Sequence, residues 1–410
     1  MQRIRMSLPY FKKFGWEAEV VTVKSKYSDL LKDEVMLQSI PADIEIHRIN
    51  AFEKSWTSKF GLGSLALRSL WFYRQEVNRI LKKKKHGFDL IYFSTTQFPI
   101  CILGAYWKRR FHVPYVIDMQ DPWHSEYYRD KPKQQQPAKY WFSYRLNKYL
   151  EPIAIKHVSG LISVSQAYID DLKKRYPETE NIPAAIITFG AFEPDLQIAK
   201  SNRQLFKPLL SSGFTNMVYI GRGGADMHEA VSLLFEAFKS GLDKEPGIFR
   251  RLKMYFIGTS YAPKGQGAPT IFPLAKQLGI GDNVIEITDR ISYYHTLETL
   301  QQADCLFIPG SDDPKYTASK IYPYLLICKP LLAIFNEKSP AISILKEYGA
   351  ENVYSYTSEK ESKLKVYNFL KDLLEKKIAD PHYNSEAIET YSAKNMTRKQ
   401  CELFDLVVKK

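Results

Sequence analysis

The chain has 410 residues, 45% hydrophobic and 25% charged, which at about 150 residues per domain makes two or three globular domains and excludes a peptide, a disordered chain or a lone small module. No window approaches about 18 uninterrupted apolar residues, and Lys12 and Lys13 fall where a secretory signal would be apolar, so a cytoplasmic chain without a spanning helix is expected. The net charge of +13 is uneven, with 30 Lys and Arg against 19 Asp and Glu over residues 1–188 and 28 against 26 over the rest, so the first half suits an anionic lipid, a pyrophosphate-bearing acceptor or nucleic acid, or is simply charged for solubility.

In chain order, residues 3–14 have helical spacing and end at Gly15 as at a helix C-cap. Apolar runs suited to strands follow at 18–23, 44–49, 90–94, 115–118, 160–164 and 185–188, and then at 216–220, 253–258, 284–287, 305–309, 331–335 and, weakly, 353–356. Helical periods separate them, which is how parallel sheets wrapped by helices read, so the fold class is α/β with two doubly wound lobes. A doubly wound domain normally opens on a strand. The first strand of the N-terminal lobe is therefore expected to be missing or replaced by another element. Residues 189–213, rich in Gly, Pro, Ser, Asn and charge, read as a linker, with the domain boundary near Gln197. The cysteines Cys101, Cys305, Cys328 and Cys401 form no CxxC or Cys/His cluster and read as buried thiols.

Two stretches of the first half carry aromatic and basic residues together, 56–85 with Trp71, Phe72, Arg68, Arg74, Arg79 and Lys82 to Lys85, and 140–149 (YWFSYRLNKY). Such segments either lie on an anionic membrane surface or pack their apolar side on their own sheet and expose only the lysines. Their composition also suits single-stranded nucleic acid, but no nucleic-acid module is recognised. The richest stretch for chemistry is 303–335, ADCLFIPGSDDPKYTASKIYPYLLICKPLLAIF. A buried strand opens into a polar loop at 310–317, and a helix begins near Ala318 or Ser319. A Ser319 cap, the free N–H groups of that helix start and the charge of Lys320 together describe an anion site at the carboxyl edge of a sheet, where open α/β folds bind ligands. As a bare Ser-Lys pair, the same residues describe an ordinary cap and a solvated lysine.

This stretch resembles the donor-site region of the family-four glycosyltransferases, enzymes of the GT-B fold with two Rossmann-like lobes facing across a cleft. Tyr219-Ile220-Gly221-Arg222-Gly223 resembles that family's Gly-Arg turn, Phe256-Ile257-Gly258 its third-strand glycine turn, and Asp289-Arg290-Ile291 the loop that receives the base. The residues from Pro114 to Trp123 (PYVIDMQDPW) and from Leu161 to Ser165 resemble strand ends lining the acceptor cleft. The resemblance implies an N-terminal acceptor lobe over 1–196, a nucleotide-sugar donor lobe over 197–384, and a C-terminal helix over 385–410 crossing back to the first lobe. It implies a hexosyltransferase-like enzyme that moves a sugar from a nucleotide diphosphate to a glycan or lipid-linked acceptor in cell-surface polysaccharide synthesis, at the inner face of a membrane. Gly221, Arg222, Gly258, Arg290, Ile291, Tyr316, Ser319 and Lys320 are the expected donor contacts. Asp118 or Asp121 is the expected proton acceptor, or else Asp121-Pro122 is a turn anchored by Trp123. No metal and no cofactor is expected beyond the nucleotide-sugar substrate, because Arg222 and Lys320 can neutralise a departing diphosphate and Asp118 to Asp121 is spaced as DxxD.

The departures from the family are specific. Pro323 stands where the ribose-binding glutamate usually lies, Lys315 where its acidic partner does, and Met227, followed by His228, where a lysine does. Asp312 and Asp313 either replace the carboxylates or solvate a turn. The same departures suit a catalytically silent nucleotide-sugar-binding or scaffold protein, whereas a nucleotide-sugar epimerase would need more acids and histidines for proton transfer than these segments offer.

Overall fold

The computed structural model describes every residue except 1, 29–32, 84–86, 125, 127, 128, 130–132, 134–139, 314–320 and 410. Among the described residues there are twelve strands, one at each run expected from the sequence: β1 (Glu19–Val23), β2 (Glu45–Ile49), β3 (Ile91–Phe93), β4 (Tyr115–Met119), β5 (Gly160–Ser163), β6 (Ala184–Ile186), β7 (Thr215–Ile220), β8 (Leu252–Ile257), β9 (Val284–Ile287), β10 (Cys305–Pro309), β11 (Leu331–Phe335) and β12 (Val353–Ser355). All of their pairings are parallel. The chain divides into two compact units, one of Met1–Lys32, Ile40–Gly190 and Ala393–Lys410, the other of Asp33–Ser39 and Ala191–Ser392. No described helix is long and apolar enough to cross a membrane.

The second unit holds one six-stranded sheet in the order β12-β11-β10-β7-β8-β9. Counted from its own first strand, this is the 3-2-1-4-5-6 order of a doubly wound nucleotide-binding fold. Both faces of the sheet are covered, so its strands read as apolar runs rather than alternations. Met217 and Tyr219 of β7 point into a core with Phe235, Phe238 and Phe307, while Val218 and Ile220 point the other way to Leu306, Tyr324 and Phe335.

In the first unit the same plan is interrupted. Its strands form a pair β1-β2 and a separate sheet β3-β4-β5-β6. Among the described residues no strand pairs with both β1 and β3, the place that β7 fills between β8 and β10 in the second unit. Tyr115, Ile117 and Met119 pack one face of β4 against Trp107, Leu150 and Ala154. On the other face the helix Ala393–Val408 lies close over β5, since a Cβ on Gly160 would come within 2.7 Å of Val407.

Three local readings change for physical reasons. The helix expected over 3–14 is two pieces, Gln2–Ser7 and the 3-10 turn Phe11–Phe14, because Pro9 has no N–H to continue the ladder and disfavours helical geometry before it. The stretch expected to be irregular at 189–213 contains the helix Pro194–Ser201, with Pro194 in its first turn. The last helix is broken into Ser385–Thr390 and Ala393–Val408, since the Tyr391 carbonyl accepts from Ala191 N–H at 2.8 Å. Cys101, Cys305 and Cys401 are buried, as expected, whereas Cys328 is exposed in a left-handed turn with φ 55°.

A buried ion pair ties the N-terminal helix to the sheet. Arg3 Nε lies 2.7 Å from Asp118 Oδ2, and both side chains are 0% exposed. The same guanidinium donates to the carbonyls of Ile187 at 2.7 Å and Thr188 at 3.2 Å and stacks over the Phe189 ring. Removing one partner strands a buried charge, so Arg3→Met is expected to cost about 3–5 kcal/mol of the first unit's stability, and the double change Arg3→Met with Asp118→Leu to recover most of it. Denaturant unfolding of the three chains checks this.

Candidate functional site

In a 3-2-1-4-5-6 sheet the crevice for a ligand opens where strand order reverses, outside the carboxyl ends of the first and fourth strands. In the second unit these are β7 and β10. β7 runs into Gly221 and Arg222, and two backbone bonds extend the sheet past its end, Gly221 N–H to the Ile257 carbonyl at 2.8 Å and Gly223 N–H to the Thr259 carbonyl at 2.8 Å. The Arg222 guanidinium donates with both terminal nitrogens to Asp226, at 2.9 and 2.6 Å. That contact holds the Asp226 carboxyl below its ordinary pKa, with the Ser311 hydroxyl at 2.8 Å assisting. Gly224 is needed here. Its φ is 145°, and a Cβ would lie 2.6 Å from Asp226 Oδ1.

The loop after β10 is fastened to this turn. Besides the Ser311 hydroxyl, Asp312 N–H donates to the Asp226 carbonyl at 2.7 Å, and Tyr356 donates its hydroxyl to the Ser311 carbonyl at 3.0 Å. Asp312 and Asp313 are exposed beside the turn. Thus Gly221, Arg222, Asp226, Ser311 and Asp312 are brought together across the switch point. Tyr316, Ser319 and Lys320, and Lys315 with them, lie outside the described residues. Met227 is fully buried, and His228 meets the Thr270 carbonyl at 3.0 Å.

On the other side of β7, Gly258 follows β8 with φ 74°, and a Cβ there would sit 3.6 Å from Arg290 Cα. The exposed Arg290 guanidinium lies 4.7 Å over the ring of Tyr261, and the half-buried Ile291 packs on the core. Glu286 shapes the intervening loop by accepting from Thr259 at 2.7 Å and from the N–H groups of Thr270, Ile271 and Phe272 at 3.0, 2.9 and 2.6 Å. Sequence reasoning missed Asp226 and Glu286. The first had a visible signal, an acid four residues after Arg222, whereas an acid inside an apolar strand run gives none.

In the first unit the two candidate acids part company. Asp118, itself 0% exposed, is committed to Arg3 and also accepts from Gln120 at 2.7 Å and Tyr92 at 3.2 Å. Asp121, three residues on, is exposed, and the partial burial that it does have raises its carboxyl pKa. Beside it Trp123 stacks on Phe98 and donates to Asn147 at 3.1 Å. Phe98, Trp123 and Asn147 line a cavity of about 390 Å³ at the carboxyl ends of β3 and β4, together with Ser64, Gln97 and Phe142. Its described lining contains no ionised side chain, and its volume is within the range of small-ligand sites.

His124 follows this cavity wall. It is 6% exposed, its N–H meets Glu151 at 2.9 Å, and its Nε2 makes no hydrogen bond among the described residues. Burial lowers its pKa, so the native state holds it neutral while the unfolded chain takes up a proton near pH 6.5. Its stabilising contribution is complete above that pH and falls away as the pH drops below it. Thermal melts from about pH 7.5 to about pH 5.5 are therefore expected to fall more steeply for the natural chain than for His124→Gln.

Residues 10–187 match the family model described as Glycosyltransferase Family 4. Among solved structures, the chain is similar to the N-terminal domain of trehalose-6-phosphate phosphatase from Candida albicans, with TM-score 0.56 and 12% identity over 98% of this chain and 92% of that one. It is also similar to sucrose-phosphate synthase from Thermosynechococcus elongatus, with TM-score 0.52 and 11% identity over 98% and 91%. Identities this low speak for the fold alone. No curated protein matches the sequence.

Proposed function

We propose that this chain, a family-four-like glycosyltransferase with the two Rossmann-like lobes of the GT-B fold, moves a hexose from a nucleotide-diphosphate donor bound by the second unit to a hydroxyl of a glycan or lipid-linked acceptor bound by the first. The observation that carries the donor assignment is the Arg222 guanidinium held in a defined orientation at the β7–β10 switch point. A diphosphate is an anion of the kind that a guanidinium recognises. In the reaction the bond from the sugar's anomeric carbon to the diphosphate breaks, and Arg222 and Lys320 neutralise the charge gathering on the leaving group, so the transfer needs no metal. Ser319 and Tyr316 are assigned as further contacts to the donor. Gly258, Arg290 and Ile291 form the base end, with the Tyr261 ring as a neighbouring flat surface.

The acceptor hydroxyl sits in the cavity beside Trp123 and gives its proton to Asp121, the exposed acid of the pair. A carboxyl whose pKa is raised by burial is the better proton acceptor. Asp118 has the structural role of holding Arg3. A neutral, hydroxyl- and ring-lined cavity suits a sugar acceptor, and a basic first half suits an acceptor carried as a pyrophosphate or on an anionic membrane at the cytoplasmic face.

Calorimetric titration with a panel of nucleoside diphosphates and their sugars tests the reading. The natural chain is expected to bind at least one diphosphate, and Arg222→Ala and Lys320→Ala are each expected to weaken it about 10- to 100-fold, the worth of a hydrogen bond to a charged group. No binding by any member sinks the donor assignment, and binding unchanged in both variants moves it elsewhere.

A further inference from the structure

β1 and β2 each open on an acid. Glu19 begins the first strand and Glu45 the second, and the parallel register sets the two side by side. Like charges in register on neighbouring strands repel, yet the Glu19 side chain is only 14% exposed. His47, two residues after Glu45, projects from the same face of β2. Its Nε2 lies 3.2 Å from Glu19 Oε2 and 3.4 Å from Glu45 Oε1, and one ligand atom from each of the three residues lies within 4.8 Å of the others. Glu19 and Glu45 stand at strand starts, whereas the candidate donor and acceptor contacts follow strand ends.

A third carboxylate meets the other side of the ring. Glu76, on the helix Leu65–Lys83, places Oε1 3.5 Å from His47 Nδ1. Arg79 holds it there, donating from Nε to Glu76 Oε2 at 3.0 Å and from a terminal nitrogen to Oε1. The His47 side chain, 12% exposed, therefore has a carboxylate at each nitrogen. A neutral imidazole has one N–H and one bare nitrogen. Its proton serves one side only, so the bare nitrogen turns its lone pair toward a carboxylate, which can only accept. A cation between them resolves the conflict.

We infer that His47 Nε2, Glu19 and Glu45 bind a divalent metal ion, zinc by the chemistry of the donor set, with Glu76 orienting the imidazole through Nδ1–H. In a tetrahedral shell with bonds of about 2.0–2.2 Å, neighbouring ligand atoms stand about 3.3–3.6 Å apart, so the 3.2 and 3.4 Å separations at Nε2 are already close to the coordinated spacing. Imidazole nitrogen beside carboxylate oxygen suits zinc, whereas calcium and magnesium take oxygen alone. A histidine whose second nitrogen meets a carboxylate is the arrangement that fixes the tautomer of a zinc ligand, and it separates this group from a mere patch of acids. Water completes the shell on the side of Glu45, which is 64% exposed. With its ligands on β1 and β2 and the orienting acid on the helix, the ion fastens three elements of the first unit together. Its role is structural, and the metal-free transfer step stands apart from it.

Calorimetric titration of the full chain with zinc chloride, after a chelator has been used and dialysed away, tests the inference, with thermal melting as a second readout. One equivalent is expected to bind. Glu76→Gln is expected to weaken it about 10- to 100-fold, and His47→Gln, or the pair Glu19→Gln with Glu45→Gln, to weaken it further. Zinc at about 100 times its Kd is expected to raise the melting temperature of the natural chain by about 5–10 °C. Without zinc the Glu19→Gln and Glu45→Gln pair, relieved of its repulsion, is expected to melt no lower than the natural chain, which shows that it folds. No zinc binding, tighter binding of calcium or magnesium than of zinc, or zinc binding left unchanged by the His47 and the paired glutamate variants would overturn the inference.

Discussion

A parallel strand buried on both faces has no freedom over where its chemistry appears. Side chains along its length are taken by the two cores, as Met217 and Val218 are on opposite faces of β7, and every crossover must return the chain to start the next strand in the same direction. What remains for ligands is the row of turns at the carboxyl edge. Gly221 to Asp226, Gly258 to Tyr261, Arg290 and Ser311 to Asp313 all belong to that row in the second unit. In the first, Asp121 and Trp123 follow β4 and Thr96 and Gln97 follow β3. The positions of these described residues follow from this constraint before any side chain is considered.

Within that edge, charge has to be held in place. An unpaired guanidinium beside a glycine-rich turn would sample many rotamers, and ordering it would oppose ligand binding. Asp226 fixes Arg222 with two hydrogen bonds and is itself held by Ser311, so the turn after β7 and the loop after β10 are one hydrogen-bonded body. The first unit solves a related problem differently. There Arg3 and Asp118 are both fully buried, where one charge cannot be left without the other. That commitment leaves Asp121 as the acid that solvent can reach.

Sequence pattern alone located the strands because burial on both faces demands uninterrupted apolar runs, which stand out from helical periods. The ends of elements were less legible, since they depend on single backbone events such as Pro9 breaking the first helix or Ala191 capturing the Tyr391 carbonyl. Gly221, Arg222 and Gly258 were picked out by the resemblance of their segments to the family's turns, as Asp121 was by that of its strand end, and they follow β7, β8 and β4. The pairing of Arg3 with Asp118 was not, because the 114 intervening residues carry no trace of it and an Asp at a strand end reads the same whether buried or free. Glu286 was hidden for a similar reason. Its partners are backbone N–H groups, which every residue type but proline supplies.

The two units join their described strands differently. The second unit has its first strand, β7, at the centre, hydrogen-bonded to β8 and β10. The first unit pairs β1 with β2 and β3 with β4, with no described strand joining the pairs. Side chains span what backbone bonds do not. Phe404 of the helix Ala393–Val408 lies 5.0 Å from Tyr92 of β3 and 5.3 Å from Trp16 just ahead of β1, and Gln400 donates to Ser7 at 2.9 Å. Arg3 adds its bonds to Asp118 of β4 and to the carbonyls after β6. The C-terminal helix is thus part of the first unit's core, and this packing explains why a segment nearly four hundred residues from the start belongs to the same compact body.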